Sequence, residues 1–123
     1  MNGNDYLADT NIMILLGNGS EPITEFLQGK NIYISFISEM ELLSKPNITS
    51  EQIKTVRDMI DSCILIEMNN KIKSEAIKFR RKHRLKLPDA IVAATAKYLR
   101  VPLITMDKDF KKASEIQLFH IAL

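Results

Sequence analysis

Five short, largely apolar runs alternate with helical segments along this chain, and that alternation restricts its fold more than any other feature. The runs lie at 5–9, 31–37, 63–68, 102–105 and 117–123, and Ile32-Tyr33-Ile34-Ser35-Phe36-Ile37 is the most strand-like of them. Continuous apolarity marks strands covered on both faces, as in a parallel sheet. The helical segments between them are predicted at 10–16, 21–28, 38–43, from Thr49 to about 62, at 71–83 and at 89–99. Their punctuation is consistent: Gly17-Asn18-Gly19 stops the first, Pro22 and Gly29 bracket the second, and Thr49 with Gln52 forms a capping box. Ile72, Ala76, Phe79 and Ile77 are the inward positions expected of the fifth helix, and Ala90 to Ala96 is too apolar to face water. The pattern predicts an α/β fold: a central, mostly parallel five-stranded sheet flanked by helices on both faces. With 123 residues there is room for one domain, 1–123, and no linker or repeat divides it.

Composition removes whole classes of function. At 46% hydrophobic and 26% charged residues the chain is an ordinary globular protein, with no apolar run of the ~18 residues needed to span a membrane. Its polar, acidic first residues do not read as a secretory signal. Cys63 is the sole cysteine, so no internal disulfide forms and a cytoplasmic setting is expected; Cys63 itself reads as a small apolar residue at a strand start. One Cys with two His, His83 and His120, makes no zinc site, and both His read as surface or packing residues. The net charge of +2 conceals an asymmetry: Lys78, Arg80, Arg81, Lys82, Arg84 and Lys86 place six of the 17 basic residues in nine positions, leaving 11 bases against 15 acids elsewhere.

In parallel sheets, ligands bind beyond the carboxyl ends of the strands. Asp9 ends the first strand, Glu41 lies in the helix after the second, and Asp107 follows the fourth, with Asp109 two residues on. Asp89 opens the helix that leads into that fourth strand. Each has an ordinary structural role open to it: Asp9, Thr10 or Asn11 as a helix cap worth ~1 kcal/mol, Asp89 in a first helical turn, Asp107 as cap of a short helix. Four like charges at one edge, however, repel unless a cation or raised pKa values compensate. With only oxygen donors that cation is hard, Mg²⁺ or Mn²⁺, which points to phosphodiester hydrolysis. No P-loop, dinucleotide fingerprint or nucleophile elbow is present to support another chemistry.

Four segments carry a family resemblance: Leu7-Ala8-Asp9-Thr10-Asn11, Ile34 to Leu42, Lys86 to Ala94 with its Pro88-Asp89-Ala90, and Leu103-Ile104-Thr105-Met106-Asp107-Lys108-Asp109-Phe110. In order and spacing they resemble the signature blocks of PIN domains, specifically VapC-type toxin ribonucleases. The resemblance implies a divalent-metal-dependent endoribonuclease, the toxin of a type II toxin–antitoxin pair. It implies catalytic Asp9, Glu41, Asp89 and Asp107, with the metal on Asp9, Asp89 and Asp107 and with Asp109, Thr10, Asn11 and Thr105 in support. Glu41, directly before Leu42, fits the pattern; Glu39 is two residues early, about half a helical turn away. RNA as substrate, a small antitoxin that silences the pocket, and a homodimer are implied as well.

Rival readings are weaker or less informative. A phospho-receiver domain needs paired acids after the first strand and a Lys ending the fifth, where this chain has a single Asp9 and His120. A catalytically silent RNA-binding or protein-interaction module of the same fold is the alternative. The basic stretch, running straight into Pro88-Asp89, makes Arg80, Arg81 and Arg84 the candidate RNA phosphate contacts, against the ordinary reading of a solvated helix end. Ile23, Phe26, Leu27, Ile53, Val56, Met59 and Ile60, on the second and fourth helices, are open to two readings, all of them core or an apolar excess that forms a groove for a partner helix.

Overall fold

The computed structural model describes residues 3–122. Strands β1 (Asp5–Ala8), β2 (Asn31–Ser35), β3 (Ile64–Ile66), β4 (Leu103–Thr105) and β5 (Leu118–His120) form one sheet in the order β3-β2-β1-β4-β5. Every pairing is parallel. The last strand is shorter than the predicted 117–123, of which Leu123 lies outside the described residues. Helices α1 (Thr10–Gly17), α2 (Glu21–Leu27), α3 (Phe36–Leu43), α4 (Ser50–Asp61), α5 (Asn70–His83) and α6 (Leu87–Leu99) connect the strands, and a 3-10 segment, Lys108–Lys112, follows β4.

Alternation of side chains along each strand divides the interior into two cores. On one face Leu7 and Leu103 pack with Ile72, Ala76 and Phe79 of α5, the small residues of α6, and Phe110. On the other, Ala8, Ile34 and Ile104 meet Ile12 and Met13 of α1, Ile23 and Leu27 of α2, and Ile60 of α4. Helix α3 straddles the two: its Phe36 and Ile37 border the first core and its Leu42 the second. The seven residues Ala90 to Ala96 are all buried, and Thr95 is accommodated by donating its hydroxyl to the Ile91 carbonyl at 2.7 Å. Burying so continuous a run requires cover on every side, which α5 supplies together with α3 and the sheet; a larger side chain at Ala93 or Ala94 would overpack the contact at a cost of about 1–3 kcal/mol.

Local signals end the helices largely as expected. The Thr49–Gln52 capping box is formed in both directions, at 3.1 and 2.9 Å. Helices α5 and α6, by contrast, end on Arg84 and Arg100 with left-handed φ of 55° and 58°, where glycine would be cheaper by up to about 1 kcal/mol. One expected core position is corrected: Ile77 is 47% exposed, because α5 buries only the stripe through Ile72, Ala76 and Phe79. Among the described residues no helix is long and apolar enough to cross a membrane.

Candidate active site

Parallel strands deliver their ends to one edge, and the order of this sheet puts the ends of β1 and β4 side by side, with Ala8 in register with Ile104. The next residue on each chain is Asp9 and Thr105. Asp9 is buried and uses both oxygens: Oδ1 accepts from the Ile12 backbone N–H at 2.9 Å, capping α1, and Oδ2 accepts the Thr105 hydroxyl. Thr105 in turn accepts the Asp107 backbone N–H at 2.9 Å, so one buried hydroxyl ties the two acids together. Asp107 caps the 3-10 segment by accepting from the Asp109 N–H at 2.9 Å. The capping roles are therefore real, and they coexist with the cluster.

Electrostatic coupling links the acids at this edge. Burial pushes the Asp9 carboxyl above the usual carboxylate range, opposed by its hydrogen bonds from Thr105 and Ile12 and reinforced by the charge of Asp107. Asp89, half-buried in the first turn of α6, is also raised: by burial first, then by Asp107, and further by Glu41 and Asp109. Those couplings bring together Asp9, Glu41, Asp89, Asp107 and Asp109 from five elements or their connections. Thr10, first residue of α1, stands between α1 and α3, with its Oγ1 2.6 Å from Glu41 Oε1 and 2.8 Å from Ser38 Oγ. Asn11 contributes a backbone N–H toward Asp9, while its side chain is exposed. Glu39 is turned away and pairs with Arg57 of α4 at 3.3 Å, as its half-turn offset from Glu41 requires.

Among the described residues no group of three or more His, Cys, Asp or Glu side chains is placed to hold a metal ion. The chemistry of the donors still suits one class of ion. All are carboxylate oxygens, two are destabilised by burial and mutual repulsion, and an open set of this kind fits Mg²⁺ or Mn²⁺, which keep several waters. Asp9, Asp89 and Asp107 are the side chains that the family resemblance assigns to it.

Two residues belong to this edge that sequence reasoning did not assign to it. Ser38 is fully buried against Thr10, and its place one helical turn before Glu41 was the available signal. Lys86 caps α6 without a side-chain cap bond, and its charge opposes, without overcoming, the rise of the Asp89 carboxyl one turn on. The rest of the basic stretch divides. Lys78 pairs with Glu75 at 3.8 Å, and Lys82 and His83 pair with Glu115 at 3.6 and 2.8 Å. His83, packed beside Phe79, is thus a packing residue. Arg80, Arg81 and Arg84 are exposed, and among the described residues none forms an ion pair.

A model of the PIN domain matches residues 6–116. The chain belongs to the PIN domain family. Comparison with curated proteins finds no match. Among solved structures, this PIN domain is similar to a toxin–antitoxin complex from Klebsiella pneumoniae, 30% identical over 94% of this chain and 99% of that one, with a TM-score of 0.80. The fold is shared with VapBC2 from Rickettsia felis bound to a promoter DNA fragment, at 20% identity, 94% and 98% coverage and TM-score 0.80. It is shared also with DNA-bound VapBC from Salmonella typhimurium, at 16% identity, 94% and 97% coverage and TM-score 0.81.

Of the two helices expected to form an apolar groove, α4 does so and α2 does not. Phe26 of α2 packs edge-on against Tyr6, at 5.7 Å, and on Phe119, at 4.7 Å, so it builds the β5 side of the molecule. An open groove of about 630 Å³ instead runs between α1, α3, the 44–48 segment and α4, lined by Met13, Ile14, Leu42, Ile48, Val56 and Met59, and it reaches Glu41.

Proposed function

We propose that this PIN domain is a divalent-metal-dependent endoribonuclease that hydrolyses phosphodiester bonds of single-stranded or loop RNA, and that it is the toxin of a type II toxin–antitoxin pair. The observation that carries the proposal is the convergence of Asp9, Glu41, Asp89 and Asp107 on one sheet edge, two of them with carboxyls raised by burial and by their neighbours' charge. When bound, Mg²⁺ or Mn²⁺ supplies a lowered pKa for water and neutralisation of charge developing at phosphorus. The protein's own residues do the rest. Asp9 is fixed by Thr105 and the start of α1, Glu41 is held by Thr10 where it can orient a water, and Lys86 moderates the repulsion around Asp89.

RNA must approach an acidic pocket, so phosphate binding has to come from beside it. Arg80, Arg81 and Arg84, free of acid partners among the described residues, are the proposed contacts, without base selectivity. The Klebsiella pneumoniae complex supports the toxin assignment and a small antitoxin as partner. The groove ending at Glu41 suits an amphipathic antitoxin segment whose far end meets the carboxylates. Homodimerisation and a cytoplasmic location complete the proposal.

The deciding experiment is cleavage of defined RNAs by the purified protein with Mn²⁺, with Mg²⁺ and with chelator, mapped to the nucleotide, beside Asp89→Asn. Cleavage that needs the ion and is lost in the variant is expected. Retention of RNA without cleavage in Mn²⁺ would instead favour a catalytically silent RNA-binding module.

A further inference from the structure

We infer that Ser38 is a positioning residue for Glu41, acting through Thr10; the inference rests on the function proposed above and adds to it a residue outside the set of acids. Thr10 Oγ1 lies 2.6 Å from Glu41 Oε1 and 2.8 Å from Ser38 Oγ. A hydroxyl carries one proton, and a carboxylate only accepts. Thr10 therefore donates to Glu41, and Ser38 is the donor to Thr10. The result is a directed chain, Ser38 to Thr10 to Glu41, that closes a ring between the start of α1 and two successive turns of α3.

Burial makes the arrangement specific. Ser38 has no exposed surface, and Thr10 is the partner of its hydroxyl. A buried hydroxyl with no task is disfavoured against alanine, which has the better helix propensity and no polar group to satisfy. Glu41, by contrast, is an exposed side chain with three rotatable bonds and about 1.5–2 kcal/mol of rotamer entropy to lose on being fixed. Its bond to Thr10 confines it, provided that the Thr10 proton points at the carboxylate. The Ser38 proton, occupying a lone pair on Thr10 Oγ1, sets that direction.

The test is a cycle of Ser38→Ala, Thr10→Val and the double variant, in two independent readouts. In RNA cleavage with Mn²⁺, Ser38→Ala is expected to lower kcat about tenfold with KM within about twofold, as misorientation of one group does. The double variant is expected to be no worse than Thr10→Val alone, because both changes break one chain. Unchanged kcat in Ser38→Ala, or fully additive losses, overturns the inference. The second readout needs no nuclease activity: three-bond NMR couplings that report the Thr10 χ1 rotamer. A single rotamer in the parent protein, averaged in Ser38→Ala, is expected, and identical couplings in the two overturn the positioning role. If the parent cleaves no RNA the proposed function fails, and the couplings still decide whether Ser38 orients Thr10.

Discussion

The Thr105 hydroxyl donates to Asp9 and at the same time accepts the backbone N–H of Asp107, so two acids 98 positions apart are held by one oxygen. Thr105→Val conserves the shape and removes both bonds. The Asp9 carboxyl then loses a hydrogen bond that favours its charged form. Stability is expected to fall by about 1–3 kcal/mol in urea unfolding. Apparent Mn²⁺ affinity, followed calorimetrically, is expected to fall about 10- to 100-fold, as when an outer-shell partner of a ligand is lost. Wild-type affinity in this variant would show that Thr105 has no part in the site.

Asp89→Asn is expected to abolish cleavage and to preserve the fold. Because burial and the charges of Asp107, Glu41 and Asp109 all disfavour the Asp89 carboxylate, removing its charge should raise Tm slightly, by no more than a few degrees, in metal-free buffer. A thermal melt beside a cleavage assay checks both halves. Full activity in the variant would falsify the assignment of Asp89.

Asp9 sets a pH dependence of definite sign. Its folded carboxyl is raised above the ordinary value of 3.8, so the native state binds more protons than the unfolded chain between that value and the raised one. Its contribution to stability is favourable at low pH and is lost as pH rises through that window. Glu75 behaves oppositely: its hydrogen bond and charge pairing with Lys97 lower its carboxyl, giving stability present above 4.5 and lost as pH falls through the depressed value. Asp9→Asn keeps the cap on α1 and should remove only the first effect. Relative to the parent it is expected to gain stability with rising pH without divalent ion, and less so with Mg²⁺ present. Parallel pH–Tm curves for the two proteins would contradict the buried carboxylate.

The triple variant Arg80→Ala, Arg81→Ala, Arg84→Ala, made on Asp89→Asn to prevent cleavage, should bind RNA more weakly and with a shallower salt dependence. Each true phosphate contact is worth roughly one unit of slope. Arg84→Gly separates binding from stability: glycine relieves the left-handed backbone at φ 55°, for a gain of up to about 1 kcal/mol, while removing one contact. Fluorescence anisotropy at several salt concentrations, with urea unfolding, measures the two effects. Unchanged RNA affinity and slope in the triple variant would make the stretch a solvated helix face.

What the chain alone determined is what depends on near neighbours. Apolar runs such as Ile32 to Ser35, the capping box at Thr49 and Gln52, and the apolar stretch Ala90 to Ala96 each declare a strand, a helix start or a buried helix within a few residues. Phe36 and Ile37, however, read as strand, are the first turn of α3, because the Ser35 hydroxyl caps that helix. The half-turn between Glu39 and Glu41 likewise separated one carboxylate of the site from one paired with Arg57. Tertiary structure decided what depends on distant partners. Strand order set Asp9 beside Thr105; contact between α1 and α3 brought the Thr10 hydroxyl to Ser38 and Glu41; and Glu115 engaged Lys82 and His83, while Arg80, Arg81 and Arg84 form no ion pair among the described residues. The same holds for Phe26, predicted to line a groove and packed instead on Phe119. Helical and strand periodicity fixes which way a side chain points from its own backbone, whereas which group it meets depends on segments brought together only by burial of the two cores.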